Sequence, residues 1–212
     1  MLFGKYPQYL SPNLDIAAVV CATENYAEEN EDGERFIVNK RFDGTIPQML
    51  ETAIAFVKQN MSISTIIDEN GRRKDVSEYP VKAIREVILN ALIHRDYSIH
   101  TENEPIRIEM YPTRIEISNP GGLYGRLTID ELGKTKGDIR NPFIAAALEI
   151  LIETENRYSG IPTIYSEMKK AGLPEPKFEN NRGTFKVTLY NKKAIKKDIQ
   201  SRIIDFCELP PP

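Results

Sequence analysis

The stretch that decides the fold is REVILNALIHRDY, Arg85 to Tyr97. Ile84, Val87, Ile88, Ala91 and Leu92 recur at the spacing of an amphipathic helix with one stripe turned to a core. Pro80 stands near the start, where the missing N–H costs nothing, so a helix is expected over 80–97. Glu86 and Asn90 then fall with Ile93 and Tyr97 on the side away from the stripe. A carboxylate and an amide one turn apart can share a site. The carboxylate can orient or deprotonate a water, and the amide oxygen is a neutral hard ligand suited to Mg²⁺ that keeps waters and phosphate oxygens. A solvated helix face accounts for the same pair, and spacing alone does not separate the two readings. His94 and Arg95 extend past the end of the stripe and can reach a phosphate. His94 equally suits the C-terminal end of a helix as a cation that favours the dipole.

Upstream, Thr45 caps a second helical pattern over 46–60, with Ile46, Leu50, Ile54, Phe56 and Val57 at helical spacing. A strand follows at 63–67 and a turn at Glu69-Asn70-Gly71. Nearer the start, DIAAVVC (15–21) and RFIVNK (35–40) read as strands around the acidic loop EENEDGE (28–34). Downstream, IRIEMY (106–111) and RIEIS (114–118) alternate isoleucine with charge, and the link Pro112-Thr113 makes them a tight hairpin. The loop NPGGLYG follows, then a short helix and a basic loop over 126–142, then helices over 142–153 and 162–171. Gly172 and Leu173 form a helix stop. FKVTLY (185–190) is a last strand, reached through the turn Asn181-Arg182-Gly183. Ile195, Ile199, Ile203 and Ile204 open a further amphipathic helix that runs into Leu209 and three prolines, which reads as the start of a unit cut short.

The bulk numbers suit one or two globular domains: 212 residues, 41% hydrophobic, 28% charged, net charge −3. A slightly acidic chain carries no global footprint for nucleic acid, so any DNA contact must be local. Cys21 and Cys207 suggest neither a metal site nor a disulfide framework, and read as free thiols of a reducing cytosol. A cytoplasmic protein is expected, with no role at a membrane: the start lacks a long apolar core and the apolar window at 143–152 is about half a span.

Three further groups of residues can hold a ligand. In Asn119-Pro120-Gly121-Gly122 the glycines permit positive φ and a close approach of a flat ligand, and Asn119 can offer its amide oxygen to an exocyclic amine. A strand-ending turn explains the same four residues. Ser159-Gly160-Ile161-Pro162 opens a helix whose first N–H groups can meet an anion, or is an ordinary proline-started helix. Lys134, Lys136 and Arg140 can bring positive charge to phosphates from the preceding loop, or belong to a solvated loop.

The order of these pieces resembles the Bergerat-type ATP-binding fold of gyrase, histidine kinases and MutL, the GHKL superfamily. Four blocks, YPVKAIREVILNALIHRDYS, IEMYPTRIEISNPGGLYG, RNPFIAAAL and MKKAGLPEPKF, are similar to a divergent branch called RecG-related or RecG C-terminal-like, over roughly residues 45–190. That domain accompanies a Schlafen/AlbA-like domain in bacterial transcriptional regulators. The resemblance implies a nucleotide-binding regulatory domain with ATP and Mg²⁺ as cofactors and, at most, a weak ATPase activity. It implies Glu86 as the water-activating glutamate, Asn90 as the Mg²⁺ ligand, Asn119 with Gly121 and Gly122 at adenine, residues 123–140 as the lid, and Gly160 as the remnant of the second glycine box. His94, Lys134, Lys136 and Arg140 complete the expected nucleotide contacts. Two departures stand out. Asn119 replaces the superfamily's Asp, and RYSGIPTI offers one glycine where several are expected, with Pro162 removing a donor.

The expected architecture is an α/β two-layer sandwich, with helices on one face of a mixed or antiparallel sheet. Residues 1–44 read as a connecting segment from an upstream domain, 45–192 as the ATPase-like domain, and 193–212 as the start of a winged helix-turn-helix. A homodimer is expected, with DNA bound through that winged helix outside the fragment. The alternative is a non-catalytic dimerisation module that orients DNA-binding domains. The third reading is a helicase-related ATPase, although no P-loop motif is present.

Overall fold

The computed structural model describes residues 1–9, 11–67, 69–135, 137–152 and 160–197. In chain order its strands are β1 (Ile16–Cys21), β2 (Phe36–Phe42), β3 (Ile63–Ile67), β4 (Arg73–Ser77), β5 (Ile106–Met110), β6 (Arg114–Pro120), β7 (Lys177–Asn181) and β8 (Thr184–Tyr190). Its helices are α1 (Ile46–Asn60), α2 (Val81–His94), α3 (Pro142–Leu151) and α4 (Gly160–Lys170). A six-stranded sheet runs in the order β2-β1-β5-β6-β8-β7, and β3 and β4 form a separate ribbon. The pair β1 and β5 is parallel and the other pairs are antiparallel. The fold is therefore a mixed α/β sandwich.

Strand periodicity sends alternate residues to opposite faces, and the register shows what each face holds. One row across the sheet pairs Ala18 with Ile108, Ile108 with Ile117, Ile117 with Val187, and Val187 with Phe178. All five are buried, against a helical layer in which α2 lies between α1 and α4. The opposite face carries charge. Glu116 receives Arg114 at 2.6 Å and Lys186 at 3.1 Å, and Glu179 receives Lys177 at 3.1 Å. One sided burial is what the isoleucine-charge alternation of β5 and β6 requires.

Local chemistry fixes the element ends. The Thr45 N–H and hydroxyl both donate to Gln48 Oε1 at 2.9 Å, which sets the start of α1. At the end of α4 the N–H of Gly172 donates to Lys169 O and that of Leu173 to Met168 O, with Gly172 at φ +64°. This is the glycine stop expected from the sequence.

Three features differ from the sequence reading. Residues 1–44, read as a connecting segment, contribute β1 and β2 to the main sheet, and β1 is an interior strand. The helix expected to reach Tyr97 ends at His94, because Arg95 adopts ψ 139° and buries its side chain. Strands β4 and β7 were unforeseen, since RKDVS and KFENN lack apolar alternation. The final amphipathic pattern is helical over 192–197, and its continuation, with Cys207, lies outside the described residues. No helix among the described residues is long and apolar enough to cross a membrane.

Candidate functional site

The polar side of α2 does not face water. Because α4 packs along it, Glu86 and Asn90 are half-buried. Asn90 Nδ2 is buried without a hydrogen-bond partner. A buried amide left unpaired costs about 1–3 kcal/mol, so its retention is informative. Burial raises the Glu86 carboxyl above its ordinary range, and the neighbouring Arg85 at 3.6 Å opposes the shift. Gly160, the first residue of α4, stands against this pair. A Cβ built there would stand 2.9 Å from Asn90 Nδ2 and 3.4 Å from Glu86 Oε2. The first turn of α4 therefore lies close against the polar side of α2.

Asn90 and Gly160 stand at one side of a cavity of about 330 Å³. Its floor is the sheet, through Ile117, Val187 and Phe185, and its walls are Val87 and Ala91 of α2 and Ile164 of α4. The loop after β6 covers it with Leu123, Tyr124, Leu127 and Leu132. The size lies at the lower end of small-molecule pockets, as does the mix of apolar walls and few polar groups.

Asn119 stands on the helix-facing side of β6, one step beyond Ile117, and is 3% exposed. Its Nδ2 donates to Pro120 O at 3.3 Å, and the side chain lines the cavity. Gly121 and Gly122 adopt φ +112° and +53°. A Cβ on Gly121 would lie 2.6 Å from Asp96 Cβ, and one on Gly122 2.7 Å from Asn180 Oδ1. Both glycines are thus required by φ and by space. Asn180 in turn accepts the Leu123 N–H at 3.0 Å, which fixes the loop over the floor.

The other expected residues divide. His94, Lys134 and Gly160 line the cavity with Asn90, Asn119 and Gly122. Burial, and then the positive Arg140, lower the His94 pKa, so its imidazole tends to neutrality. Glu86 borders Gly160 just outside the lining. Arg140 does not reach into the cavity: its guanidinium donates to Gly121 O and Gly122 O and lies over the Tyr124 ring. Lys136 and Ser159 lie outside the described residues.

Arg95, expected from the sequence to reach a phosphate, is instead buried behind the site, and Asp96, which sequence reasoning left without a role, ties the end of α2 to β6. Arg95 is 1% exposed and donates to the carbonyls of Asp96, Thr101 and Glu104 at 2.7, 3.0 and 2.5 Å. The Asp96 N–H donates to Pro120 O at 2.9 Å, which joins the end of α2 to the end of β6. The charged run His94-Arg95-Asp96 just after the helical stripe was the available signal.

Among the described residues there is no group of three His, Cys, Asp or Glu that can hold a metal ion. The donors available are the Asn90 amide and the Glu86 carboxylate. That set suits a Mg²⁺ ion that draws its remaining ligands from waters and phosphate oxygens.

Residues 103–189 match the family described as "Putative ATP-dependent DNA helicase recG C-terminal". The match spans β5 to nearly the end of β8 and includes Asn119, both loop glycines, Arg140 and Gly160; it begins after α2. This stretch is thus similar to a RecG-related, ATP-binding-type domain. The crystal structure of the DIP2311 protein from Corynebacterium diphtheriae superposes with a TM-score of 0.71 at 21% identity, over 85% of this chain and 35% of that one. The likeness extends the shared fold beyond the family match, and this chain spans about a third of that protein's length. No curated protein matches the chain.

Proposed function

We propose that the chain is an adenine-nucleotide-binding regulatory domain of Bergerat type, from a RecG-related transcriptional regulator. One observation carries the reading: Asn119 and the Asn90–Gly160 contact open onto the same cavity, one at the sheet and the other between two helices. In this reading the purine lies on Ile117 and Val187 under Tyr124 and Leu127. The Asn119 Nδ2 is already engaged with Pro120 O, so its Oδ1 is left to accept from an exocyclic amine.

The residues fit a phosphate-bound Mg²⁺ on two counts, the orphaned amide of Asn90 and the glycine contact that a Cβ would fill. Mg²⁺, when bound, supplies charge neutralisation across the phosphates. Asn90 would offer its amide oxygen to the ion, and its unpaired Nδ2 would be left to donate to a phosphate oxygen. Glu86, with its raised pKa, would hold a water one helical turn away and accept its proton. Lys134 would lie beside the phosphates. Such a site supports binding with weak turnover, and ligand occupancy would act as the signal to DNA-binding segments elsewhere in a homodimer.

A second reading has its own support. The cavity lining holds no arginine among the described residues, and Pro162 removes one N–H from the start of α4. These favour a module that keeps the fold, has lost triphosphate affinity and serves dimerisation.

A melting experiment separates the two. A ligand at 100 times its Kd stabilises by about 2.7 kcal/mol, which for a chain of this size raises Tm by roughly 5–10 °C. The nucleotide reading predicts a rise with ATP or ADP and Mg²⁺ that Asn119→Ala removes. No rise at millimolar nucleotide, with dimer mass intact, supports the second reading.

A further inference from the structure

We infer that Arg140 is a positioning residue: it clasps the two ends of the loop 123–139 together and so holds that loop over the cavity. The sequence suggests a mobile cation for phosphates, but the geometry gives the side chain different work. Its guanidinium donates to Gly121 O, and to Gly122 O at 3.3 Å, both at the loop's start. It lies 4.9 Å from the Tyr124 ring centroid, within cation-π range. Its Nη1 stands 3.6 Å from Asp96 Oδ2. Burial works to raise the Asp96 pKa, but the Ser98 amide and hydroxyl and the charges of Arg140 and Arg95 outweigh it and hold the carboxyl below its ordinary value. Asp96 is therefore a reliable anion for the clasp.

The next residue repeats the device. Asn141 Nδ2 donates to Ile93 O at 2.7 Å and to Arg95 O at 2.8 Å. These are carbonyls at the C-terminal end of α2, where no helical N–H remains to satisfy them. Arg140 and Asn141 thus fix the loop's exit to its own entry and to α2. Between these anchors the loop adds its own glycine turns at Gly125 (φ +78°) and Gly133 (φ +75°). Tied in this way at both ends, the loop keeps its cover of the cavity only while both fastenings hold. The clasp stands 15% exposed at Arg140, half shielded by the tyrosine that also lines the cavity. Tyr124 lines the cavity and also packs on the Arg140 guanidinium, so a bound ligand and the clasp would share one side chain.

The part of this inference that concerns ligand retention rests on the nucleotide reading; the clasp itself does not. The experiment uses the full chain and its Arg140→Met and Asp96→Asn variants. Hydrogen exchange is followed across 123–139 and across the sheet, and ATP dissociation is followed by stopped flow. Expected is a tenfold or greater rise in exchange within 123–139 for Arg140→Met, with β5 and β6 unchanged, and a smaller rise for Asp96→Asn. ATP dissociation rises in step while the association rate is retained, a split that a general loss of stability would not produce. Unchanged exchange in 123–139 overturns the clasp. Raised exchange with an unchanged ATP dissociation rate overturns the coupling to the ligand. Absence of ATP binding to the unaltered chain refutes the nucleotide reading and with it the retention role, while the exchange data still decide the clasp. Should Arg140→Met fail to fold, Tyr124→Leu, which removes only the cation-π contact, is expected to raise exchange in the same segment, and no rise there overturns the inference.

Discussion

Gly160 of α4 rests directly on the amide of Asn90 in α2, and a single added carbon would stand 2.9 Å from Asn90 Nδ2. The contact joins the two helices at the point where the proposed ion and phosphates meet the chain. It also gives a reason for glycine at the first residue of α4, where a side chain would meet Asn90.

Gly160→Ala should therefore separate stability from binding. Gly160 is the first residue of the helix, so little propensity is gained, and the Asn90 amide is a side-chain end that can shift, so the unfolding free energy is expected to stay within about 1 kcal/mol of the original. Nucleotide affinity should fall about tenfold, as a misplaced ligand costs roughly 1.4 kcal/mol. Urea denaturation and a binding titration on the same preparation check both halves.

Gly121→Ala tests the rear wall. The residue holds φ +112°, and its added Cβ would meet Asp96 Cβ at 2.6 Å with no flexible side-chain end to yield. Backbone strain of about 1–3 kcal/mol adds to overpacking of about 1–3 kcal/mol. A loss of at least about 2 kcal/mol is expected by urea denaturation. Gly71→Ala is the control, because φ +73° applies there with nothing within 4 Å, and a smaller loss is expected.

The pH dependence follows from two groups of opposite sign. Glu86 has its pKa raised by burial, so the folded chain keeps a proton that the unfolded chain releases. Its contribution to stability falls as pH rises from the ordinary value of 4.5 through the folded value. Glu86→Gln should then raise Tm at neutral pH and not below pH 4.5. His94 has its pKa lowered by burial and by Arg140, so the unfolded chain takes up a proton that the folded chain refuses. Its stabilising effect is present above 6.5 and is lost as pH falls through the folded value. His94→Gln should flatten the Tm profile below pH 6.5. Melting curves at constant ionic strength read both.

The sequence disclosed those parts of the fold in which pattern and environment agree. The isoleucine-charge alternation at 106–118 gave β5 and β6 with their turn, because one face of each is buried and the other is wet. Ile46, Leu50 and Val57 gave α1, and the glycine at 172 gave the end of α4. Strands β4 and β7 stayed hidden because RKDVS is exposed almost throughout and KFENN buries only Phe178. Neither carries a period that a core could impose. The membership of β1 in the central sheet was also hidden, since its parallel partner lies some 90 residues on in the chain and nothing local encodes such a pairing.

The candidate site was legible as residue types and not as contacts. Glu86 and Asn90 were visible as a pair, but their burial depends on α4, which arrives from far along the chain. Arg140 shows the limit most plainly. A basic residue in a polar loop suggests a phosphate contact, whereas three-dimensional proximity to Gly121, Tyr124 and Asp96 gives it a mechanical part. Arg95 reads as a further phosphate contact at a helix end, and proves to be a buried fastening of the segment behind the cavity, while the Asp96 N–H ties the same end to β6.

The central claim is that the cavity between Asn119 and Asn90 takes an adenine nucleotide. Isothermal titration of the chain with ATP and with ADP, each with Mg²⁺ and up to millimolar concentration, tests it most directly, with Asn119→Ala and Asn90→Ala alongside. The account predicts saturable one-to-one binding to the unaltered chain, weakened at least tenfold by either substitution while each variant melts within a few degrees of the original. No heat of binding to the unaltered chain, or binding that both substitutions leave intact, would contradict it.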